Sequence, residues 1–183
     1  MSKAFADVAE FDTLKIAVIW RKEPVQLITR ILIAEDERIL RSLCAKSGAA
    51  AFESSGFSQE ALRLLKLELS GKNGQQLEEM LDLSELKPFQ SKVLKTLREH
   101  VAWGRAVSYG ELAKLCGKPG GARAVGQAMG ANPYPLFYPC HRVVAADCSL
   151  GGFGFGTALK ITLLEREGIA ASEGKAAFKT HRI

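Results

Sequence analysis

A cysteine and a histidine are adjacent at Cys140 and His141, and together they could perform nucleophilic chemistry. The thiolate is the nucleophilic form of cysteine, but a free thiol with a pKa of about 8.5 is largely protonated at neutral pH. A neighbouring imidazole can accept the thiol proton if a third group orients the ring. Glu167 and the competing Glu165 are candidates for that third group. These residues therefore predict a thiol nucleophile assisted by a His–carboxylate pair.

The segment before the cysteine is rich in proline. Pro133, Pro135 and Pro139 exclude an α-helix and favour a stiff, extended backbone up to Cys140. Stiffness suits a nucleophile that must be held in an attacking geometry. Adjacent side chains of an extended segment point to opposite faces, so a turn or a bridging water would have to join Cys140 to His141. The competing interpretation of Cys140 is a buried structural cysteine.

The remaining cysteines suggest neither a disulfide framework nor a metal site. Cys44, Cys116 and Cys148 form no Cys-x-x-Cys pair, and we interpret Cys116 and Cys148 as structural. Residues 1–84 contain one cysteine and no histidine, which excludes an ordinary Cys/His zinc site there. The cysteines and histidines of the second half match no standard zinc spacing. We therefore predict no metal and no other cofactor.

Composition and charge narrow the class of protein. The chain has 183 residues, 47% of them apolar and 25% charged, which is typical of one or two globular domains. Its longest apolar stretch, Ile16–Trp20, is too short to span a bilayer, and the amino terminus lacks a secretory pattern, so we expect an intracellular protein. Residues 1–84 hold 11 Lys and Arg against 13 Asp and Glu, a net charge of −2. Residues 85–183 hold 14 against 7, a net charge of +7, as expected if this half binds a polyanion such as nucleic acid. On charge alone, a solvated basic face with no partner is an equal alternative.

The first half reads as a small sheet with a helix. Two apolar runs, Leu14–Trp20 and Val25–Ala34, predict an antiparallel hairpin. Glu37–Lys46 fits a helix or a strand equally well. Ser58–Gly71 predicts a helix with a serine cap and a terminating glycine, and Gln76–Leu83 predicts a last short strand. We place the domain boundary near residues 84–87.

The second half reads as helical. Pro88–Val101 has an apolar stripe at helical spacing, and Ser108–Glu111 fits a capping box that opens a second helix. A glycine-rich turn then leads to a helix over Ala122–Gly130, which together resembles a helix-turn-helix, although many helical hairpins bind nothing. On this last helix Arg123 and Gln127 share one face, opposite an apolar face.

These motifs resemble those of one protein family. Pro139–Val144, which reads Pro-Cys-His-Arg-Val-Val, is similar to the active-site signature of the O6-alkylguanine-DNA alkyltransferases, or methylated-DNA–protein-cysteine methyltransferases. Other similar segments, in the family's order and near its spacing, are Ser108-Tyr109, Ala122–Gly126, Asn132-Pro133, Gly151-Gly152, Lys160, Leu163-Leu164 and Glu167-Gly168. The resemblance covers residues 85–168, whereas residues 1–84 resemble the family only in their pattern of elements.

The resemblance implies an α+β protein of two domains. Residues 1–84 would form a ribonuclease H-like scaffold with a small antiparallel sheet and a helix. Residues 85–183 would form a mainly helical domain with a winged or helix-turn-helix DNA-binding motif, and a flexible tail after about residue 170. The implied partner is double-stranded DNA containing O6-alkylguanine, bound by a monomer. The implied location is the nucleoid-associated cytoplasm in a prokaryote and the nucleus in a eukaryote.

The resemblance also implies residue roles. Cys140 would accept the alkyl group by direct displacement and keep it as a thioether, so that each molecule works once. His141 would act as base through a water, polarised by Glu167, and Tyr109 would hydrogen-bond the guanine ring as negative charge develops on it. Arg123 would enter the duplex in place of the extruded nucleotide. The other implied DNA-binding residues are Ala122, Gln127, Tyr109 and Asn132, of which Asn132 also ties the recognition helix to the active-site strand.

The implied base pocket departs from the family pattern. Its residues are Pro135, Val143, Gly151, Phe153 and Gly154. Phe153 stands where members often have a hydroxylated or larger aromatic residue, and Gly154 stands where some have serine, which affects rate and lesion preference. Small Gly151 beside Pro135 suggests room for larger alkyl groups. The glycine-rich loop Gly151–Gly156 would form the wall of this pocket. A nucleotide-phosphate loop is the rival interpretation of that run, but no Gly-Lys-Ser/Thr follows it.

Two other functions remain as alternatives. A damage-recognition or regulatory helix-turn-helix protein would bind DNA without transferring a group. A thiol redox sensor would use Cys140 with Cys148.

Overall fold

The computed structural model describes residues 3–172 and 175–176, and it divides into two compact units. One unit contains the residues up to Glu85 together with Pro133–Phe137, and the other contains Leu86–Asn132 and the described residues from Tyr138 onward. The boundary after Glu85 lies one residue from the predicted end of the first domain. The tail predicted to be flexible lies mostly outside the described residues.

The first unit is built on a four-stranded sheet. Its strands are β1 (Ala4–Phe11), β2 (Leu14–Arg21), β3 (Leu27–Ala34) and β4 (Ala49–Phe52), arranged in the order β3-β2-β1-β4. β2 pairs antiparallel with β1 and β3, which confirms the predicted hairpin, whereas β4 runs parallel to β1. The continuous apolar run of β2 reflects burial on both faces, since the adjacent residues Ile16 and Ala17, whose side chains point to opposite faces, are both fully buried.

Two helices cover this sheet. The ambiguous segment after β3 is a helix, α1 (Glu37–Lys46), capped by the Asp36 side chain. The next helix, α2 (Gly56–Glu68), begins earlier than predicted because Ser55 is its N-cap. Ser58 completes the capping box instead, with its side chain accepting a hydrogen bond from the Ser55 backbone N–H.

The strand predicted over Gln76–Leu83 is wrong. Gln75–Met80 forms a 3-10 helix, and only Leu81 makes a bridge to β3, at Ile28. A strand needs a partner that offers several consecutive backbone groups, and here a single bridge is made. Pro133–Phe137 joins this unit because the Ile31 N–H donates to the Pro133 carbonyl at 2.8 Å and the Tyr134 hydroxyl donates to the Asp82 carbonyl.

The second unit is mainly helical. Its elements are α3 (Pro88–His100), β5 (Val107–Ser108), α4 (Tyr109–Leu115), α5 (Ala122–Gly130), β6 (Val143–Val144), α6 (Thr157–Arg166), β7 (Ala171–Ser172) and β8 (Lys175–Ala176). Pro88 occupies the first turn of α3, and Ser108 caps α4 with Glu111 in a full capping box, as predicted. α4 and α5 form the predicted helix-turn-helix. Together with the sheet of the first unit, this confirms the α+β class.

A short parallel pair of strands positions the site in the second unit. β5 pairs with β6 so that Val107 lies opposite Val143 and Ser108 opposite Val144. This pairing brings Tyr109, the first residue of α4, close to the segment that follows Cys140. Along residues 3–172 and 175–176, no helix has both the length and the apolar character required to cross a membrane.

Candidate active site

Cys140, the predicted nucleophile, lies on a tight turn and not on an extended segment. Cys140–Arg142 form one turn of 3-10 helix with Pro139 as its N-cap. The Cys140 N–H donates to the Tyr138 carbonyl at 2.7 Å, and the Arg142 N–H donates to the Pro139 carbonyl at 2.9 Å. The extended backbone predicted here is wrong, because Pro139 has no N–H and its fixed φ suits the start of a helical turn.

The Cys140 thiol is buried at the wall of a cavity. Only 6% of the residue is exposed, and burial raises the pKa of its thiol. Hydrogen bonding by the Asn132 side chain and the positive charge of Lys160 oppose that rise without cancelling it. The resting thiol is therefore protonated at neutral pH, and reaction requires a group that accepts its proton.

His141 is held by a carboxylate. Its Nε2 lies 2.7 Å from Oε1 of Glu167, and both residues are buried. Burial would raise the pKa of Glu167, but hydrogen bonds and charges from His141 and Arg142 outweigh it and leave that pKa below its ordinary value. An ionised carboxylate can only accept, so Nε2 carries the proton of the neutral imidazole and Nδ1 carries a lone pair. Glu165, the competing candidate, is exposed.

The protonation state of His141 suits a base. Burial lowers its pKa below the ordinary 6.5, and the positive charges of Arg142 and Lys160 act in the same direction. Glu167 opposes them. The imidazole is therefore neutral at pH 7. Its Nδ1 is buried and has no hydrogen-bond partner among the described residues, so this nitrogen can receive a proton.

The cavity beside Cys140 has a volume of about 430 Å³. Among the described residues, ten from the second unit line it: Tyr109, Gly126, Met129, Gly130, Asn132, Cys140, Gly152, Phe153, Gly154 and Phe155. Pockets of 300–1,000 Å³ are typical of sites for small organic ligands. The lining combines aromatic rings, small residues and a few polar groups, an arrangement suited to a flat heteroaromatic ring with a substituent.

Tyr109 lies between two glycines at the wall of this cavity. A Cβ added to Gly151 would lie 3.1 Å from the Tyr109 hydroxyl oxygen, and one added to Gly126 would lie 3.9 Å from the ring. Gly151 also has a φ of +66°, which L side chains rarely adopt. Burial raises the pKa of Tyr109, so its hydroxyl remains a donor throughout the physiological range.

The structure distributes the predicted pocket residues unevenly. Phe153 and Gly154 line the cavity, and Gly151 packs against Tyr109. Val143 is buried in β6, where its carbonyl accepts from Lys160. Pro135 belongs to the first unit and is not among the lining residues. Gly152 and Phe155 also line the cavity and belong to the predicted loop Gly151–Gly156. Gly126, Met129 and Gly130 were not predicted as pocket residues, although Gly126 and Met129 could have been found from the spacing of one helix face.

The predicted DNA-binding residues lie mainly on one helix. Arg123 and Gln127 are exposed on α5, as predicted. Val125 and Met129 form the apolar face predicted opposite them and are buried. Ala122 is the first residue of that helix and is partly exposed. Asn132 follows α5, and its side-chain amide donates to the Tyr138 carbonyl at 2.9 Å, two residues before Cys140.

A fully buried lysine was missed as a site residue. Lys160 Nζ donates to the Val143 carbonyl at 2.7 Å and also to the Leu150 carbonyl. Burial lowers its pKa to about 8. The sequence signal was available, because Lys160 shares a helix face with the core residues Leu163 and Leu164. Within the described part of the chain, no cluster of three His, Cys, Asp or Glu residues is placed to hold a metal ion.

Comparison with known proteins places these features in one group. The family model described as the DNA-binding domain of 6-O-methylguanine DNA methyltransferase matches residues 88–169. A methylated-DNA–protein-cysteine methyltransferase of Shigella flexneri is 46% identical over 81 residues, covering 44% of this chain and 47% of that protein. The chain thus matches about half the length of this curated relative.

Two crystal structures resemble the fold over most of the chain. The O6-methylguanine-DNA methyltransferase of the hyperthermophilic archaeon Pyrococcus kodakaraensis strain KOD1 superimposes with a TM-score of 0.68 and 30% identity, covering 90% of this chain and 99% of that one. The structure of Mycobacterium tuberculosis OGT in complex with DNA gives a TM-score of 0.66 and 28% identity, covering 89% of this chain and 92% of that one.

Proposed function

Since this chain belongs to the O6-methylguanine-DNA methyltransferase family, we propose that it repairs O6-alkylguanine in double-stranded DNA by transferring the alkyl group to its own Cys140. The observation that carries the proposal is a thiol at the wall of a cavity of about 430 Å³, with Tyr109 in the same wall. His141 follows the thiol directly in the chain and is hydrogen-bonded to Glu167. The transfer is irreversible, and each molecule reacts once.

The chemical step is a direct displacement. The sulfur of Cys140 attacks the alkyl carbon, the S–C bond forms as the C–O6 bond breaks, and the bonding electron pair stays with the guanine. The thiol proton passes to Nδ1 of His141 through a water, and the guanine gains one proton as it leaves, so protons balance. Glu167 stabilises the imidazolium formed in between. Tyr109 donates a hydrogen bond to the ring while negative charge develops there, which stabilises the transition state.

Access to the lesion requires base extrusion. The cavity lies within a folded domain, whereas the O6 atom of a stacked guanine lies inside the duplex, so the nucleotide must rotate out at a cost of a few kcal/mol. A lesion that pairs badly lowers that cost, which contributes to selection. Arg123 on the exposed face of α5 fills the space left in the stack, while Ala122, Gln127, Tyr109 and Asn132 contact the DNA near it.

The net charge of +7 on residues 85–183 supports sequence-independent attraction to phosphates, as a lesion can occur anywhere. The protein acts as a monomer in the compartment that holds the genome: the nucleoid-containing cytoplasm of a prokaryote or the nucleus of a eukaryote. Residues 1–84 serve as the scaffold domain.

Intact-protein mass spectrometry tests the proposal. After incubation with duplex DNA containing O6-methylguanine, we expect one methyl group per molecule, located on Cys140, and guanine restored in the DNA. Cys140→Ala should bind the DNA and gain no methyl group. Cys148→Ala is the matched control, because it removes a partly exposed thiol that lies outside the described cavity lining, and it should react like the unmodified chain.

The same measurement separates the alternatives. DNA binding without any adduct on the unmodified chain would identify a non-catalytic damage-recognition protein. A reversible Cys140–Cys148 disulfide in place of an alkyl adduct would identify a redox sensor.

A further inference from the structure

Arg142 is a buried cation beside the His–Glu pair, and the proposed reaction has given it no role. Only 8% of the residue is exposed. Its Nε lies 3.1 Å from Oε1 and 2.9 Å from Oε2 of Glu167, and its Nη1 donates to the Val101 carbonyl at 2.7 Å. The guanidinium carbon also lies 5.9 Å from the centre of the Trp103 ring, within range of a cation–π contact. Arg142 thus connects the end of α3 to the residue that ends α6.

The Glu167 carboxylate is fully occupied by this arrangement. Oε1 accepts from His141 Nε2 at 2.7 Å and from Arg142 Nε, while Oε2 accepts from Arg142 Nε and from the Gly104 N–H at 3.2 Å. Rotation of the carboxylate would break contacts on both oxygens at once. Its orientation toward His141 is therefore set by three donors, of which Arg142 alone contacts both oxygens.

We propose that Arg142 is a positioning residue for the transfer: it aims the Glu167 carboxylate at His141 and keeps the imidazole neutral until the thiol proton arrives. The expected effect on alkyl transfer rests on the proposed function, whereas the contacts among Arg142, Glu167 and His141 are independent of it. The contacts of the Arg142 side chain are with Glu167, Val101 and Trp103, and Arg142 is not among the residues that line the cavity. It therefore acts through Glu167 and His141.

The charges around His141 explain why neutrality depends on Arg142. The charged groups that act on the imidazole are Glu167, Arg142 and Lys160. A buried carboxylate alone beside an imidazole favours an ion pair with a protonated ring. Such a ring cannot accept the thiol proton. With the guanidinium present, Glu167 is already paired, and a proton on His141 would add an uncompensated buried charge.

Two variants separate charge from shape. Arg142→Gln removes the cation, so we expect the acidic limb of the pH–rate profile for Cys140 alkylation to move to higher pH. If the pKa of His141 rises by about one unit, the variant should react roughly tenfold more slowly than the unmodified chain at pH values below that pKa. At higher pH the two rates should agree within about a few-fold. Arg142→Lys keeps the charge and loses the planar guanidinium, so the limb should stay in place while the rate falls at every pH.

The experiment uses the full chain and two reagents. Alkylation of Cys140 by iodoacetamide and transfer from O6-methylguanine DNA are each followed by mass spectrometry. The assays cover roughly pH 5–9, the range in which histidine side chains titrate. The pKa and tautomer of His141 are measured separately by NMR of the labelled imidazole. Urea unfolding verifies that each variant is folded under the assay conditions.

An equal loss of rate at all pH values in Arg142→Gln, with an unchanged pKa of His141, would overturn the inference, because a purely structural role predicts that result. If Arg142→Gln does not fold, a double-mutant cycle with Arg142→Lys and Glu167→Gln tests whether Arg142 acts through Glu167. A double variant no slower than Glu167→Gln supports action through Glu167, and additive losses contradict it. Failure of the unmodified chain to accept a methyl group from DNA would reject the proposed function alone, since the NMR titration still tests the positioning of His141.

Discussion

Gly151 offers the sharpest test of how Tyr109 is positioned. In Gly151→Ala the new Cβ would lie 3.1 Å from the Tyr109 hydroxyl oxygen and 3.5 Å from Cε2, so the ring must shift by a few tenths of an ångström. The φ of +66° adds strain, because an L residue in the left-handed region costs about 1–2 kcal/mol. We expect a loss of about 2 kcal/mol in the free energy of unfolding. Because misplacement by 1 Å can cost about 100-fold in rate, we also expect a roughly tenfold slower transfer.

Gly120→Ala is the matched control for this prediction. Gly120 has a φ of +79°, and nothing lies within 4 Å of an added Cβ, so the variant carries the same backbone strain without the contact to Tyr109. Urea unfolding gives the stability of both variants, and mass spectrometry gives their rates with the free alkylated base, which needs no DNA contact. If Gly151→Ala reacts as fast as Gly120→Ala, then Tyr109 does not need this exact placement and our reasoning about the leaving group is wrong.

Three further predictions address the DNA contact, the base and the buried lysine. Arg123→Ala should slow repair of duplex DNA at least tenfold, about the value of a lost charge-assisted contact, while the free alkylated base reacts normally; equal losses on both substrates would remove its role in extrusion. The pKa of His141 is lowered below 6.5, so the transfer rate should fall only when the pH drops through that lowered pKa. Rates measured by mass spectrometry should therefore show the midpoint of this acidic limb below pH 6.5, and a midpoint above 6.5 would exclude this imidazole as the base. The pKa of Lys160 is about 8 when folded against 10.5 ordinarily, so the unfolded chain binds more protons between these values and stability to urea should rise across that window. Lys160→Met should abolish the rise, and a rise that persists would assign it to another group.

Local signals predicted the helices of this chain well. Pro88 and the capping box at Ser108 act within a single turn, so the sequence contains the whole interaction. The start of α2 was predicted wrongly because both Ser55 and Ser58 are suitable N-cap residues, and the sequence did not show that Ser55 takes this position. Local signals also failed at Gln75–Met80, because a strand requires a partner with backbone groups to share, and the sequence of one segment does not show which partner is available.

The candidate site shows the same division. Its reactive residues were all present in short motifs, and the stretch around Cys140 indicated a thiol nucleophile. Its turn was missed, because proline restricts φ but leaves the hydrogen bonds around it undetermined.

The sequence by itself determined which chemical groups this protein has, in what order, and which half of the chain is basic. Only the tertiary structure decided that Glu167 and not Glu165 reaches His141, and that Arg142 contacts the same carboxylate. His141 and Glu167 are 26 residues apart, so their contact depends on how α6 packs. The pKa directions that permit the proposed chemistry also follow from burial among residues of several elements, because desolvation depends on the surroundings of a group and not on its neighbours in the chain.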